Sequence, residues 1–355
     1  MNVDYNSLLP VREFPDHGIK WLLESPENMH TLMNVFAPDL AESIDFGRQE
    51  NVPQSFIPDN LREQESDLVF LAPYRDVENG TEREVTIYLL LEHQSTSDPT
   101  MTFRVLFYML QIWDTQRREW LDQKIPKGQW SFRPILPVVF YTGDGNWKRL
   151  RSMTELMELP KALVRFVPNP DILFMNLKGG KRREELIATG HPFGWILNVI
   201  QKENATKETL TEAIKLAVIH LEELPEEEQN QWAKLIYYLI LLIYYRREPD
   251  EHEELISLVT ESVHETTRQR EVVKMGKTTA QVLIEEGEKR GEKRGEIRGM
   301  LRAKQEDLLR LIQVRFGSVS QDVEDKIKAT SDVSHLTVLF EQGLIANNID
   351  EMEIE

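Results

Sequence analysis

Apolar positions change their spacing several times along the chain, and each change marks a different kind of element. Residues 16–35 (DHGIKWLLESPENMHTLMNV) carry apolar side chains at helical spacing on both sides of a Ser-Pro step. That pattern predicts a short helix, a turn, and a second helix opened by Pro26. SDLVFLA (66–72) reads as a strand, and VENGTERE (77–84) places an Asn-Gly hairpin signal before a longer apolar run. This run starts at Val85, reads VTIYLLL, and meets Glu92, His93 and Gln94 in immediate succession. Helical spacing returns over 101–121 (MTFRVLFYMLQIWDTQRREWL). Two further apolar runs, 135–141 (ILPVVFY, followed by Thr-Gly-Asp-Gly) and 172–177 (ILFMNL), predict buried strands. The first half therefore reads helix, strand, strand, helix, strand, strand, an α/β order.

Beyond residue 184 the pattern is helical, with helices expected over 184–201, 206–222, 228–246 and 250–268. Residues 276–299 become repetitive (GEKRGEKRGEIRG), with Gly287, Gly291, Gly295 and Gly299 four apart. Each glycine costs a helix interior about 1 kcal/mol relative to alanine. A flexible linker with helical tendency is expected there, with a marginal charged helix as the other reading. Amphipathic spacing resumes over 301–316 and stops at Gly317, and 320–347 suggests two more short helices. Four segments follow: an α/β domain over 1–183, a helical domain over 184–268, a Gly-rich charged linker or helix over 269–300, and a small helical module over 301–355.

Composition narrows the chemistry. With 355 residues the chain can bury a sizeable core, and with no cysteine it has no disulfide, thiolate metal site or cysteine nucleophile. The N-terminus lacks the charged-then-apolar order of a secretory leader, and the longest apolar run, LIYYLILLIYY, falls well short of the ~20 residues that span a bilayer. A soluble, cytoplasmic protein with no membrane partner is expected. The net charge of −18 argues against a generally sticky nucleic-acid binder. Its distribution matters more: residues 1–183 carry 21 basic against 26 acidic residues (−5), and the remainder 21 against 34 (−13). The first half is near enough to neutral to hold a local basic groove.

The polar cluster ending the 85–94 run is the candidate site. Side chains alternate along a strand, so Glu92 and Gln94 share one face and His93 takes the other. Asp67 opens the preceding strand, and a hairpin can bring it beside Glu92. Two carboxylates at strand ends suit Mg²⁺, which binds one or two carboxylates and keeps several waters. A strand end that simply reaches solvent explains the same residues.

DLVF (67–70), IYLLLEHQSTSDPTMTFRVLFYMLQIW (87–113) and LPVVFYTGDGNW (136–147), with the opening PDHGIKWLL (15–23), resemble the Rpn/YhgA-like family of recombination-promoting nucleases. These proteins are also described as transposases and belong to the PD-(D/E)XK nuclease superfamily. The resemblance covers about residues 15–180, and the glycine-repeat tail with LLRLIQVRFG (308–317) is also similar. It implies an α/β, restriction-endonuclease-like PD-(D/E)XK core of order α-β-β-β-α-β with a C-terminal all-helical extension. It implies Asp67 and Glu92 as metal-binding, catalytic acids for Mg²⁺ or Mn²⁺, with Gln94 in the place of the superfamily lysine. An amide hydrogen-bonds but cannot serve as a general base, so Gln94 is assigned to positioning water, with weak or conditional activity as the consequence. The function implied is a DNA endonuclease of low sequence specificity, active in recombination, mobile-element or defence biology.

Around this core, Asp16 is a candidate additional acid, although a helix start accounts for it as well. Lys20, Arg104, Arg117 and Arg118 are candidate DNA contacts. Tyr108, His93 and the tryptophans are read as packing residues. A third acid for a DDE recombinase, an Arg/His/Tyr set for tyrosine recombination and a P-loop are all missing. The alternative is a catalytically weak or inactive nuclease-fold protein acting as an interaction or regulatory partner. The acidic helical half suggests a homodimer formed through it, and Met275 and Met300 suggest a separate short C-terminal product of the same gene.

Overall fold

A computed structural model describes residues 8–52, 67–78, 81–180 and 183–354. The Asn79-Gly80 hairpin signal falls outside the described residues, but the strands on either side pair in full register. β2 (Asp67–Glu78) runs antiparallel to β3 (Thr81–Gln94) from Glu78↔Thr81 to Asp67↔Glu92. A two-residue strand, β1 (Glu50–Asn51), flanks β2. β4 (Ile135–Tyr141) and β5 (Leu173–Asn176) then add parallel to β3, giving a five-stranded sheet in sequence order.

Helix α4 (Met101–Asp122) links β3 to the parallel β4, a connection that requires a crossover. Its buried positions Met101, Val105, Tyr108, Met109 and Ile112 follow the helical spacing read in the sequence. They pack on Tyr88 and Leu90 of β3 and Val139 and Tyr141 of β4. The opposite sheet face buries Leu89, Leu91, Val138 and Phe140. There Phe140 meets Phe36 of α2 (Pro26–Phe36), which is capped by Ser25 as the Ser-Pro step predicts. α3 (Pro38–Ala41) is a single turn.

Helical boundaries differ from the sequence reading where local chemistry interrupts the pattern. The helix expected over 184–201 is two, α5 (Arg183–Ile187) and α6 (Pro192–Lys202). Gly190 at φ +70° and Pro192 enforce the break. α7 (Lys207–Glu222) and α8 (Gln229–Arg246) follow, and α9 (Pro249–Ser262) ends six residues early. The LIYYLILLIYY run lies in α8, whose stretch 235–243 is apolar on all sides because it is buried on all sides. Its Tyr238 packs on Phe14 and its Tyr237 on Trp21, both from α1 (Phe14–Leu23). The sheet and these helices thus share one unit, Met1–Thr279. No helix among the described residues is long and apolar enough to cross a membrane.

The glycine repeat is helix rather than linker. α10 runs from Thr266 to Phe316 without interruption, ending at Gly317 with φ +92°. Four glycines cost the helix several kcal/mol, but charged neighbours with good helix propensity and helix on both sides outweigh that cost. With α11 (Gln321–Ala329) and α12 (Val333–Ile345), the end of α10 forms a second unit, Ala280–Glu355, around Leu308, Ile312, Ile327, Leu336 and Leu339. A Cβ at Gly287, Gly291, Gly295 or Gly299 meets nothing within 4 Å. Each Gly→Ala change there is therefore expected to stabilise the helix by ~1 kcal/mol. Slower hydrogen exchange over residues 285–300 checks this; unchanged exchange in the fourfold alanine variant contradicts it.

Candidate active site

Glu92 is the last buried position on the α4-facing side of β3, and it is completely shielded from solvent. Tyr88 and Leu90 continue the same face into the core, so strand alternation alone delivers a carboxylate to the top of an apolar layer. Two donors converge on its Oε1: Nε2 of Gln94 at 2.6 Å and Nη2 of Arg104 at 2.7 Å. Oε2 is buried and, among the described residues, has no hydrogen-bond partner. Such an orphan acceptor is expensive unless a donor or cation reaches it.

Burial pushes the Glu92 carboxyl up to about 7, against the opposing pull of the Arg104 and Lys20 charges and the Gln94 hydrogen bond. Arg104 bridges two acids, since its Nη1 also donates to Oδ2 of Asp98 at 3.1 Å. Asp98 in turn accepts from the backbone N–H and hydroxyl of Thr100, at 2.7 Å each, just before α4 begins. Burial acts to raise the Asp98 carboxyl, but the Thr100 and Arg104 hydrogen bonds outweigh it and hold it below its usual range. Tyr108, one turn beyond Arg104, is buried in the core and also hydrogen-bonds the guanidinium, so it is both a packing residue and part of this network.

The register places Asp67 directly across β2–β3 from Glu92. Its side chain, like that of Asp16 in α1, lies outside what is described. Lys20 is buried in α1, with its charge acting on both Glu92 and His93. Arg117 and Arg118 stand exposed toward the far end of α4, both paired with Asp114. Glu92, Gln94 and Arg104 are thus brought together, while Arg117 and Arg118 are remote from them.

His93 points to the opposite sheet face, as alternation requires. Its Nε2 lies 2.9 Å from Oγ1 of Thr142, and burial, with help from Lys20 and Arg246, pushes the ring down to about 3, so it is neutral. The Thr-Gly-Asp-Gly turn after β4 closes this end of the sheet. Gly143 is obligatory there, because a Cβ would stand 2.0 Å from the Ser95 carbonyl oxygen. Gly145 N–H donates to the Tyr141 hydroxyl at 2.9 Å. The residue the sequence reading missed is Asp98. Its signal was an acid two residues before the Thr100 helix start, the pattern of an Asx turn.

Among the described side chains, no group of three or more acids and histidines forms a metal cage. The residues nevertheless fit a hard cation held in part by water: Glu92 offers a shielded, unpartnered oxygen, and the position opposite it is an aspartate.

A family model described as "Putative transposase, YhgA-like" matches residues 15–231. The chain is 29% identical over 130 residues to "Recombination-promoting nuclease RpnD" of Escherichia coli O157:H7, covering 36% of this chain and 45% of that one. It is 30% identical over 98 residues to "Putative inactive recombination-promoting nuclease-like protein YjiP" of Escherichia coli (strain K12), covering 27% of this chain and 89% of that one. The match thus spans less than half of RpnD. No solved structure matches the chain.

Proposed function

We propose, because this chain belongs to the YhgA-like transposase family, that it is a metal-dependent DNA endonuclease with a PD-(D/E)XK core. The observation that carries the reading is the buried Glu92, with one oxygen held by Gln94 and Arg104, the other unpartnered, and Asp67 in register opposite. The element order supports the fold assignment: helices, then β1, β2 and β3, then the α4 crossover to a parallel β4, is the α-β-β-β-α-β sequence of that core.

Glu92 and Asp67 would hold Mg²⁺ or Mn²⁺, which supplies an activated water and stabilises charge developing on a phosphate. Gln94 fixes the Glu92 carboxylate by its short hydrogen bond and leaves its own carbonyl oxygen to orient water. Arg104 offsets the Glu92 charge while no cation is present. Low sequence specificity follows from contacts made to the DNA backbone rather than to base edges.

A second reading rests on Gln94. With an amide at position 94 in place of the superfamily lysine, that position carries no positive charge, and the relative YjiP is described as inactive; an interaction protein on a nuclease fold is then the function. Plasmid cleavage by the purified full-length chain separates the two. Nicking that requires Mg²⁺ or Mn²⁺, stops in excess EDTA and is lost in Asp67→Ala supports the nuclease. A folded parent with no cleavage under any divalent ion favours the interaction protein.

A further inference from the structure

The far end of α4 carries a surface that the candidate active site does not use. Trp120 and Trp130 lie with ring centroids 5.5 Å apart and planes 31° from parallel, and Phe132 packs on Trp120 at 5.0 Å. The two indoles are half-buried, and Phe132 is 48% exposed. Hydrogen bonds anchor Trp130 and the loop that carries Phe132. Trp130 Nε1–H donates to the Ile125 carbonyl, Trp113 Nε1–H donates to the Arg133 carbonyl, and Arg133 N–H donates to Gln116 Oε1, all at 3.0 Å. The loop between α4 and β4 is therefore a pinned aromatic ledge.

Its charge is opposite in sign to that of the chain as a whole. Residues 115–134 hold five basic residues (Arg117, Arg118, Lys124, Lys127, Arg133) against two acidic ones (Glu119, Asp122), in a protein of net charge −18. All five are exposed, and among the described residues no carboxylate pairs with Lys124, Lys127 or Arg133. Lys124 also occupies a position that favours glycine. It has φ +56° just past the C-terminus of α4, where its N–H bonds the Leu121 carbonyl and that of Ile125 bonds the Trp120 carbonyl. A lysine there accepts backbone strain and puts an exposed cation on the same loop as the rings.

We propose that Trp120, Trp130 and Phe132, with Lys124, Lys127 and Arg133, form a stacking platform for single-stranded DNA. Exposed aromatic faces in a basic surround bind unpaired bases and phosphates together, with little sequence preference. Duplex DNA hides its base faces and gains only the phosphate contacts. From Arg104 to Trp120 is sixteen residues of helix, about 24 Å at 1.5 Å per residue. The platform is thus separate from the candidate active site and suited to a displaced or unpaired strand of the same substrate. The choice of DNA rests on the nuclease reading, whereas the platform itself does not depend on cleavage.

Anisotropy of a short fluorescein-labelled oligothymidylate and of a duplex of equal length, with full-length protein in EDTA, tests this. Phe132→Ala and Trp120→Ala are each expected to weaken oligothymidylate binding about tenfold and duplex binding less than twofold, with quenched tryptophan fluorescence in the parent. Lys124→Gly should raise the melting temperature, by relieving strain, while weakening oligothymidylate binding. Phe132 is exposed, so its removal leaves the fold in place, and a melting curve verifies that. Unchanged oligothymidylate binding in both ring variants overturns the platform. So does equal weakening toward duplex, which identifies a phosphate-only patch, or a change in self-association without a change in DNA binding, which identifies a protein interface. Glu92→Gln should bind oligothymidylate like the parent, so loss of cleavage there and loss of binding here fail independently.

Discussion

Glu92→Gln is expected to lower divalent-ion-dependent DNA cleavage by about two orders of magnitude or more. Losing even an outer partner of a metal ligand costs roughly 10–100-fold in affinity or activity, and here the ligand itself loses its charge. Gln94→Lys should keep or raise cleavage, because it adds the positive charge that an amide lacks. Equal cleavage by parent, Glu92→Gln and Gln94→Lys would place the chemistry elsewhere in the molecule.

The same substitution should stabilise the metal-free fold, in a way that depends on pH. Glu92 is raised from 4.5 to about 7 in the folded chain. Below pH 4.5 the carboxyl is protonated folded or unfolded, and it contributes no difference. Between 4.5 and 7 the folded state holds the proton more tightly, so rising pH erodes stability through this window. Above 7 the whole cost of the buried charge is present, on the order of 3 kcal/mol at ~1.4 kcal/mol per pKa unit. His93 runs the other way: its lowered value of about 3 means stability is lost as pH falls below its ordinary 6.5. Comparing Glu92→Gln with the parent cancels that contribution. The variant's advantage should be near zero at low pH and grow to roughly 1–3 kcal/mol above pH 7. Added Mg²⁺ should raise the parent's melting temperature more at higher pH, because Glu92 must lose its proton to act as a ligand, and should not raise the variant's. A pH-independent difference between the two proteins would mean that Glu92 is not the buried titrating acid.

Much of this site was legible in the sequence because it depends on local periodicity. A run that alternates into the core at Tyr88 and Leu90 must carry Glu92 and Gln94 on the same face and His93 on the other, and the structure arranges them so. The Asp67↔Glu92 register follows once the hairpin is centred on Asn79-Gly80. The contact of Arg104 with Glu92 was not legible. It depends on how α4 crosses back over β3, a tertiary arrangement that spacing along the chain does not encode. From the sequence Arg104 is a candidate DNA contact that could face the site from the helix after the strand, and Asp98 draws no reading. At the glycine repeat the sequence leaves linker and helix both open, because propensity fixes the cost of each glycine but not the cooperativity of the helix around it.

Arg104→Met should be the most destabilising single change at the site. The guanidinium is largely buried, with 18% of its side chain exposed, and it touches a fully buried carboxylate and a mostly buried one. Removing one partner of a buried pair leaves the other uncompensated, a loss of roughly 3–5 kcal/mol in comparable cases. Two effects limit it here. Glu92, already at about 7, can take up a proton, and Gln94 still donates to Oε1. A loss of about 2–3 kcal/mol at neutral pH is therefore expected, with less at pH 5 where Glu92 is protonated in any case. The double variant Glu92→Gln/Arg104→Met should recover part of that loss, because no charge is then buried without a partner. The coupling energy from the four proteins, measured by urea unfolding at two pH values, should be favourable and larger at the higher pH. Additive losses, equal at both pH values, would mean that Arg104 stabilises the site by packing alone and that the cation Glu92 relies on in the metal-free protein is a different one, with Lys20 the residue to test next.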